Sequence, residues 1–80
     1  MARILVAEDD DAVRSFVARA LTHRGHDVVE MEDGLDALEA LDSGESADLL
    51  ITDIVMPGLD GIALALKVAR DFPNLPVLLM

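Results

Sequence analysis

Apolar residues fall along this chain in two rhythms that take turns. Arg3-Ile4-Leu5-Val6-Ala7 is a short run with β-branched residues and no period-2 alternation, which predicts a strand buried on both faces. It ends abruptly in Glu8-Asp9-Asp10-Asp11. Val13, Phe16, Val17, Ala20 and Leu21 then recur at helical spacing. An acidic start suits the helix dipole, and Asp10 and Asp11 read as N-terminal capping residues. His23 and Arg24 fill the last turn and Gly25 is the expected C′ residue, so the two histidines at 23 and 26 read as a helix end and a turn.

Asp27-Val28-Val29-Glu30-Met31 alternates better and predicts a strand with one drier face. Asp33 is placed to cap a second helix with the stripe Leu35, Leu38, Leu41, which ends in Asp42-Ser43-Gly44-Glu45-Ser46. Leu49-Leu50-Ile51-Thr52 is another fully apolar strand, and it too ends in an acid, Asp53. A Pro- and Gly-containing loop, Ile54 to Gly61, leads to a third helix over about Gly61–Asp71 that is apolar nearly all round, with Asp60 as its cap. Pro73 and Pro76 break the chain before a last apolar strand, Val77-Leu78-Leu79-Met80. The order β-α-β-α-β-α-β predicts an α/β fold with a parallel sheet covered on both faces.

Composition sharpens this picture. The chain has 80 residues, 52% of them hydrophobic, which calls for a real core and excludes disorder. There is no apolar run of membrane-spanning length and no secretory signal pattern. Cysteine is absent, which excludes a disulfide framework and a thiol nucleophile. Together these predict a cytoplasmic protein without membrane insertion. Six Lys and Arg face sixteen Asp and Glu, for a formal net charge of −10. That field disfavours direct nucleic-acid binding and anionic membrane surfaces, and favours cations or positive partners.

The position of the acids matters more than their number. In open parallel α/β sheets, ligands bind beyond the carboxyl ends of the strands, where the winding reverses. A strand order 2-1-3-4 makes the first and third strands neighbours across that reversal, so Glu8, Asp9 and Asp53 converge. Such a cluster repels itself unless a cation sits inside it. Oxygen-only donors suit Mg²⁺, which takes one or two carboxylates and leaves room for a phosphate oxygen. A carboxylate beside Mg²⁺ is also a possible nucleophile toward phosphorus.

The segments Ile4-Leu5-Val6-Ala7-Glu8-Asp9-Asp10 and Ile51-Thr52-Asp53-Ile54-Val55-Met56-Pro57-Gly58-Leu59-Asp60-Gly61, about 45 residues apart, resemble the receiver domain of two-component response regulators. The wording is most similar to CpdR-type stand-alone receivers and to receiver segments of hybrid histidine kinases. The resemblance covers all 80 residues. It implies a flavodoxin-like (CheY-like) doubly wound parallel sheet of order 2-1-3-4. It implies that Asp53 accepts a phosphoryl group from a phosphohistidine on a sensor histidine kinase or histidine phosphotransfer protein. It further implies Mg²⁺ held by Asp9 and Asp53 directly, by Glu8 through water and by the backbone carbonyl of Val55. Met56 and Pro57 would shape the loop and Gly61 would start the next helix. Donor docking in such domains runs largely through the first helix, which singles out Val13, Arg14 and Val17.

Receivers also carry a Ser or Thr at the end of the fourth strand and a Lys at the end of the fifth. Alignment places the first just past Met80 and the second further on, and Lys67 cannot replace that Lys because it lies within the third helix. The chain is therefore expected to be the N-terminal two-thirds of a receiver, ending before the fourth helix, fifth strand and fifth helix. Such a domain catalyses its own phosphorylation without being a conventional turnover enzyme. Two alternatives stay open at this point: a receiver-like interaction module that never carries phosphate, and a haloacid-dehalogenase-like phosphatase. The latter needs an acid two residues past its nucleophile, where this chain has Val55.

Overall fold

The computed structural model describes residues 1–80. Its elements are β1 (Arg3–Ala7), α1 (Asp11–His23), β2 (Asp27–Met31), α2 (Gly34–Asp42), β3 (Leu49–Thr52), α3 (Gly61–Asp71) and β4 (Val77–Leu79). The strands form one parallel sheet in the order β2-β1-β3-β4. β1 lies inside the sheet, with Ile4 opposite both Val28 and Leu49, and Ala7 opposite both Met31 and Thr52. This placement explains the unbroken apolar run: Ile4, Leu5, Val6 and Ala7 are all buried, alternately toward opposite faces.

The two faces carry separate cores. Leu5, Ala7 and Leu50 pack under α2 and α3 through Ala37, Leu41, Leu64 and Val68. Ile4, Val6 and Ile51 point the other way and meet Val17 and Leu21 of α1. Helices on both faces of a parallel sheet make it doubly wound, with the reversal between β1 and β3. No helix is long and apolar enough to cross a membrane.

Each helix starts on an aspartate. The Asp10 side chain accepts from the backbone N–H groups of Ala12 (2.9 Å) and Val13 (3.0 Å). Asp33 accepts from Asp36 N–H at 2.8 Å, and Asp60 from Ala63 N–H at 2.8 Å. These bonds satisfy donors that the first helical turn leaves without partners. α1 is closed at the other end by Gly25, whose φ of 88° lies in the left-handed region.

The helical stripes are narrower than their periodicity predicts. On α1, Val17 and Leu21 pack on the sheet and Ala18 is buried, whereas Val13, Phe16 and Ala20 are exposed. On α2, Ala37 and Leu41 point inward and Leu35 points out. On α3, Leu64 and Val68 face the sheet while Ile62 and Leu66 face solvent. A helix lying on one sheet face buries one strip, so apolar residues beyond that strip stay outside. β4 ends at Leu79 and not Met80, although Met80 N–H still donates to Thr52 O at 3.0 Å.

Candidate functional site

The site grows from one register. Ala7 and Thr52 are partners at the ends of β1 and β3, so the residues after them, Glu8 and Asp53, emerge side by side at the carboxyl edge of the sheet. Asp53 N–H donates to Ala7 O at 3.1 Å, and Glu8 N–H donates to Met31 O at 3.0 Å. Past these bonds the chain leaves the sheet toward α1 on one face and α3 on the other, which opens a crevice between them.

Glu8, Asp9 and Asp53 converge there as expected. Each offers a carboxylate oxygen, and these oxygens all lie within 4.8 Å of one another. Their surroundings differ. Glu8 is only 3% exposed, Asp53 is half-buried and Asp9 is exposed. Burial pushes the Glu8 carboxyl up from the ordinary glutamate range, the bond from Asp10 N–H to Glu8 Oε2 (3.1 Å) opposes this, and the nearby Asp9 and Asp53 carboxyls push it up further. None of the molecule's ion pairs involves these three acids. A buried carboxylate with two acidic neighbours and no cationic side chain paired to it is costly. An all-oxygen donor set without His or Cys fits a hard divalent cation, so the residues present suit Mg²⁺.

The loop behind Asp53 is built to hold it. Asp53 Oδ1 accepts from Ile54 N–H at 2.8 Å, and Thr52 Oγ1 donates to Asp53 O at 3.0 Å. Met56 is buried in the main core and anchors the loop, whereas the Val55 side chain is 78% exposed. Gly61 N–H donates to Ile54 O at 2.9 Å, folding the loop back onto the start of α3. Gly61 is required there by space: a Cβ would stand 1.8 Å from Asp53 O. This reason for glycine, beyond starting a helix, is not visible in the sequence.

Arg14 is the residue that sequence reasoning misplaced. Expected on a docking face of α1, it is folded inward with its side chain 14% exposed. Nη1 donates to the backbone carbonyl of Glu8 at 2.8 Å and Nη2 to Asp11 Oδ1 at 2.6 Å. Its Nε lies 3.8 Å from Glu30 on β2. Val17, also named for docking, is spent on the α1 face of the sheet. Val13 alone of the three is exposed.

Other candidates lie elsewhere. His26 Nδ1 accepts from Ala2 N–H at 3.1 Å, and Ser43 Oγ donates to Ala40 O at 2.8 Å. The first ties the N-terminus to the chain just before β2, the second is local to the end of α2, and Lys67 sits within α3 as expected. The surface hollows of the molecule run along α1, beside Phe16, Arg19 and His23, and not at the acids.

Comparison with known proteins agrees with this fold. Residues 4–80 match the family model of the response regulator receiver domain. The chain is 44% identical over 78 residues to the response regulator receiver protein CpdR of Brucella abortus, covering 98% of this chain and 64% of that one. It is 39% identical to the sensor kinase CckA of the same organism, over 92% of this chain and 8% of that one. Among solved structures it matches the response regulator TrrA of Thermotoga maritima in complex with Mg²⁺-BeF, with a TM-score of 0.93 at 33% identity over 99% of this chain and 68% of that one. TrrA bound to the histidine kinase ThkA matches with a TM-score of 0.90 at 33% identity, over 99% of this chain and 67% of that one. The chain spans less than two thirds of the length of these curated relatives.

Proposed function

The chain belongs to the response regulator receiver domain family, and from that membership we propose that residues 1–80 form part of a phosphoacceptor domain in which Asp53 takes a phosphoryl group from a phosphohistidine. The observation that carries the reading is the convergence of Glu8, Asp9 and Asp53 within 4.8 Å at the β1/β3 edge. Asp9 and Asp53 would hold Mg²⁺ directly, Glu8 through a water molecule, and the backbone carbonyl of Val55 would complete the protein's share. When bound, Mg²⁺ supplies positive charge against the growing negative charge of the transferring phosphoryl oxygens.

The chain's own residues do the rest. Asp53 is the nucleophile, and its carboxylate is aimed by the bond from Ile54 N–H. Its oxygen forms the new O–P bond as the N–P bond of the phosphohistidine breaks and the electron pair returns to the imidazole. Phosphoryl transfer demands chiefly positioning and charge: the fixed strand ends of β1 and β3 supply the positioning, and the carboxylates they carry would hold the cation that supplies the charge. The donor would be a sensor histidine kinase or a histidine phosphotransfer protein. Support comes from TrrA, whose structures hold Mg²⁺-BeF and a histidine kinase. Phosphorylation would change which partner the domain binds.

The experiment is intact mass of the protein carrying this chain after incubation with acetyl phosphate, with and without Mg²⁺. One added phosphoryl group is expected only with Mg²⁺, and none in Asp53→Asn. Equal labelling of Asp53→Asn would remove Asp53 from the role.

A further inference from the structure

We propose that Arg14 is a positioning residue for the cation site: it holds the peptide that joins Glu8 to Asp9 and thereby sets the angle between two of the carboxylates. The inference rests on the reading that these acids take up Mg²⁺.

The geometry begins with the cap. Asp10 ends the turn after β1, and Arg14 N–H donates to Asp10 O at 2.9 Å, closing the first turn of α1. Side chains on a helix lean toward its N-terminus, so a long residue at position 14 reaches back over that turn. Arg14 Nη1 arrives at the carbonyl of Glu8, 2.8 Å away. That carbonyl belongs to the peptide unit between the two acids. Its rotation would swing the buried Glu8 carboxylate and the exposed Asp9 carboxylate relative to each other. Glu8 N–H is the last group of this stretch bonded to a strand, on Met31 O of β2, and the Glu8 carbonyl lies past that bond. Nη2 is fixed on Asp11 and Nε faces Glu30 of β2, which anchors the guanidinium while Nη1 holds the carbonyl. The task needs a rigid fork with donors in several directions, which Arg supplies and Lys does not.

This role makes a prediction opposite in sign to simple electrostatics. As a nearby positive charge, Arg14 would repel Mg²⁺, and its removal would tighten binding. As a positioning residue its removal weakens binding. Groups that orient metal ligands without touching the metal typically matter by about tenfold or more in affinity.

The test measures Mg²⁺ affinity by titration calorimetry on the intact protein carrying this chain, as wild type, Arg14→Gln, Arg14→Lys and Asp11→Asn. Arg14→Gln is expected to bind about tenfold more weakly. Arg14→Lys, which retains the charge and one donor, should fall between it and wild type. Asp11→Asn removes the charge of the pair but keeps an Oδ1 acceptor for Nη2 and leaves the carbonyl bond, and should match wild type. A role confined to holding α1 in place would instead move Arg14→Gln and Asp11→Asn together. Unchanged or tighter binding in Arg14→Gln overturns the proposal. If that variant does not fold, Arg14→Lys decides, and wild-type affinity there overturns it. A wild type that takes up no Mg²⁺ removes the proposed function and this inference with it. A normal wild type with an indifferent Arg14 removes this inference alone.

Discussion

Gly61 and Asp53 touch through their backbones. A Cβ built on Gly61 would lie 1.8 Å from the Asp53 carbonyl oxygen and 2.8 Å from its carbonyl carbon. Both of those atoms are main chain and cannot rotate aside. The start of α3 is thus pressed against the residue whose carboxylate faces the crevice, and the position of Asp53 is defined from behind as well as by its strand.

Replacing Gly61 by Ala should therefore act on stability and on chemistry together. The added methyl forces the two segments apart, and overpacking of this kind destabilises by about 1–3 kcal/mol. Urea unfolding should show the lowered midpoint. Phosphorylation by acetyl phosphate should slow in the fraction that remains folded. A variant with wild-type labelling rate would show that Asp53 tolerates the displacement.

Glu8→Gln keeps the shape of the side chain and an acceptor for Asp10 N–H while removing a buried charge. Without Mg²⁺ the variant should be more stable than wild type, by about 0.5–2 kcal/mol, the usual size of a stabilising change. With Mg²⁺ the order should narrow or reverse, because a cation bound only by the folded state raises stability with its concentration. Thermal melts across a Mg²⁺ series would reveal the crossing, and parallel curves would exclude Glu8 from the cation's surroundings.

Asp10→Ala separates capping from cation binding within one acidic run. Loss of the cap to Ala12 and Val13 should cost about 0.5–2 kcal/mol. Mg²⁺ affinity should stay at the wild-type value, since the backbone N–H that serves Glu8 is kept. Chemical denaturation and calorimetry on the same sample check both halves.

Arg70 sits beside Asp71 with Nε 2.9 Å from Oδ1, and this bond holds the Asp71 carboxyl below its ordinary range. A depressed carboxylate favours the fold above its unfolded pKa, and that contribution is lost as pH falls through the folded value. The NMR titration midpoint of Asp71 should lie below the ordinary aspartate value and rise in Arg70→Ala. Because the pair is solvent-exposed, the effect on melting temperature should be small. An unchanged midpoint in the variant would assign the shift to another group.

The legible parts of this molecule are those where residue type and burial agree. The doubly buried β1 and β3 announce themselves by lacking alternation, and the acids at their ends stand out against them. Caps at Asp10, Asp33 and Asp60 follow from side chains that favour turns over helix interiors. The exposed positions of Phe16 and Leu35 were not legible, because a helical period gives the direction of an apolar stripe and not the width of the surface it meets. Arg14 was missed for a different reason. Its key partner is the Glu8 carbonyl, and every residue has a carbonyl, so no pairing of residue types marks the contact. The closeness of Gly61 to Asp53 is likewise a relation between two backbones.

The sheet order also dictates when the acid cluster comes into being. β1 needs one neighbour that begins at Asp27 and another that begins at Leu49. As the chain leaves the ribosome, Glu8 and Asp9 are made long before Asp53, and β2 can settle beside β1 while the other edge stays bare. Parallel pairing over such separations is an intrinsically slow step of folding. Until β3 slots in, a cation finds two carboxylates and no enclosure. The arrival of β3 and the birth of the site are then the same kinetic event, and cation uptake during refolding would time it.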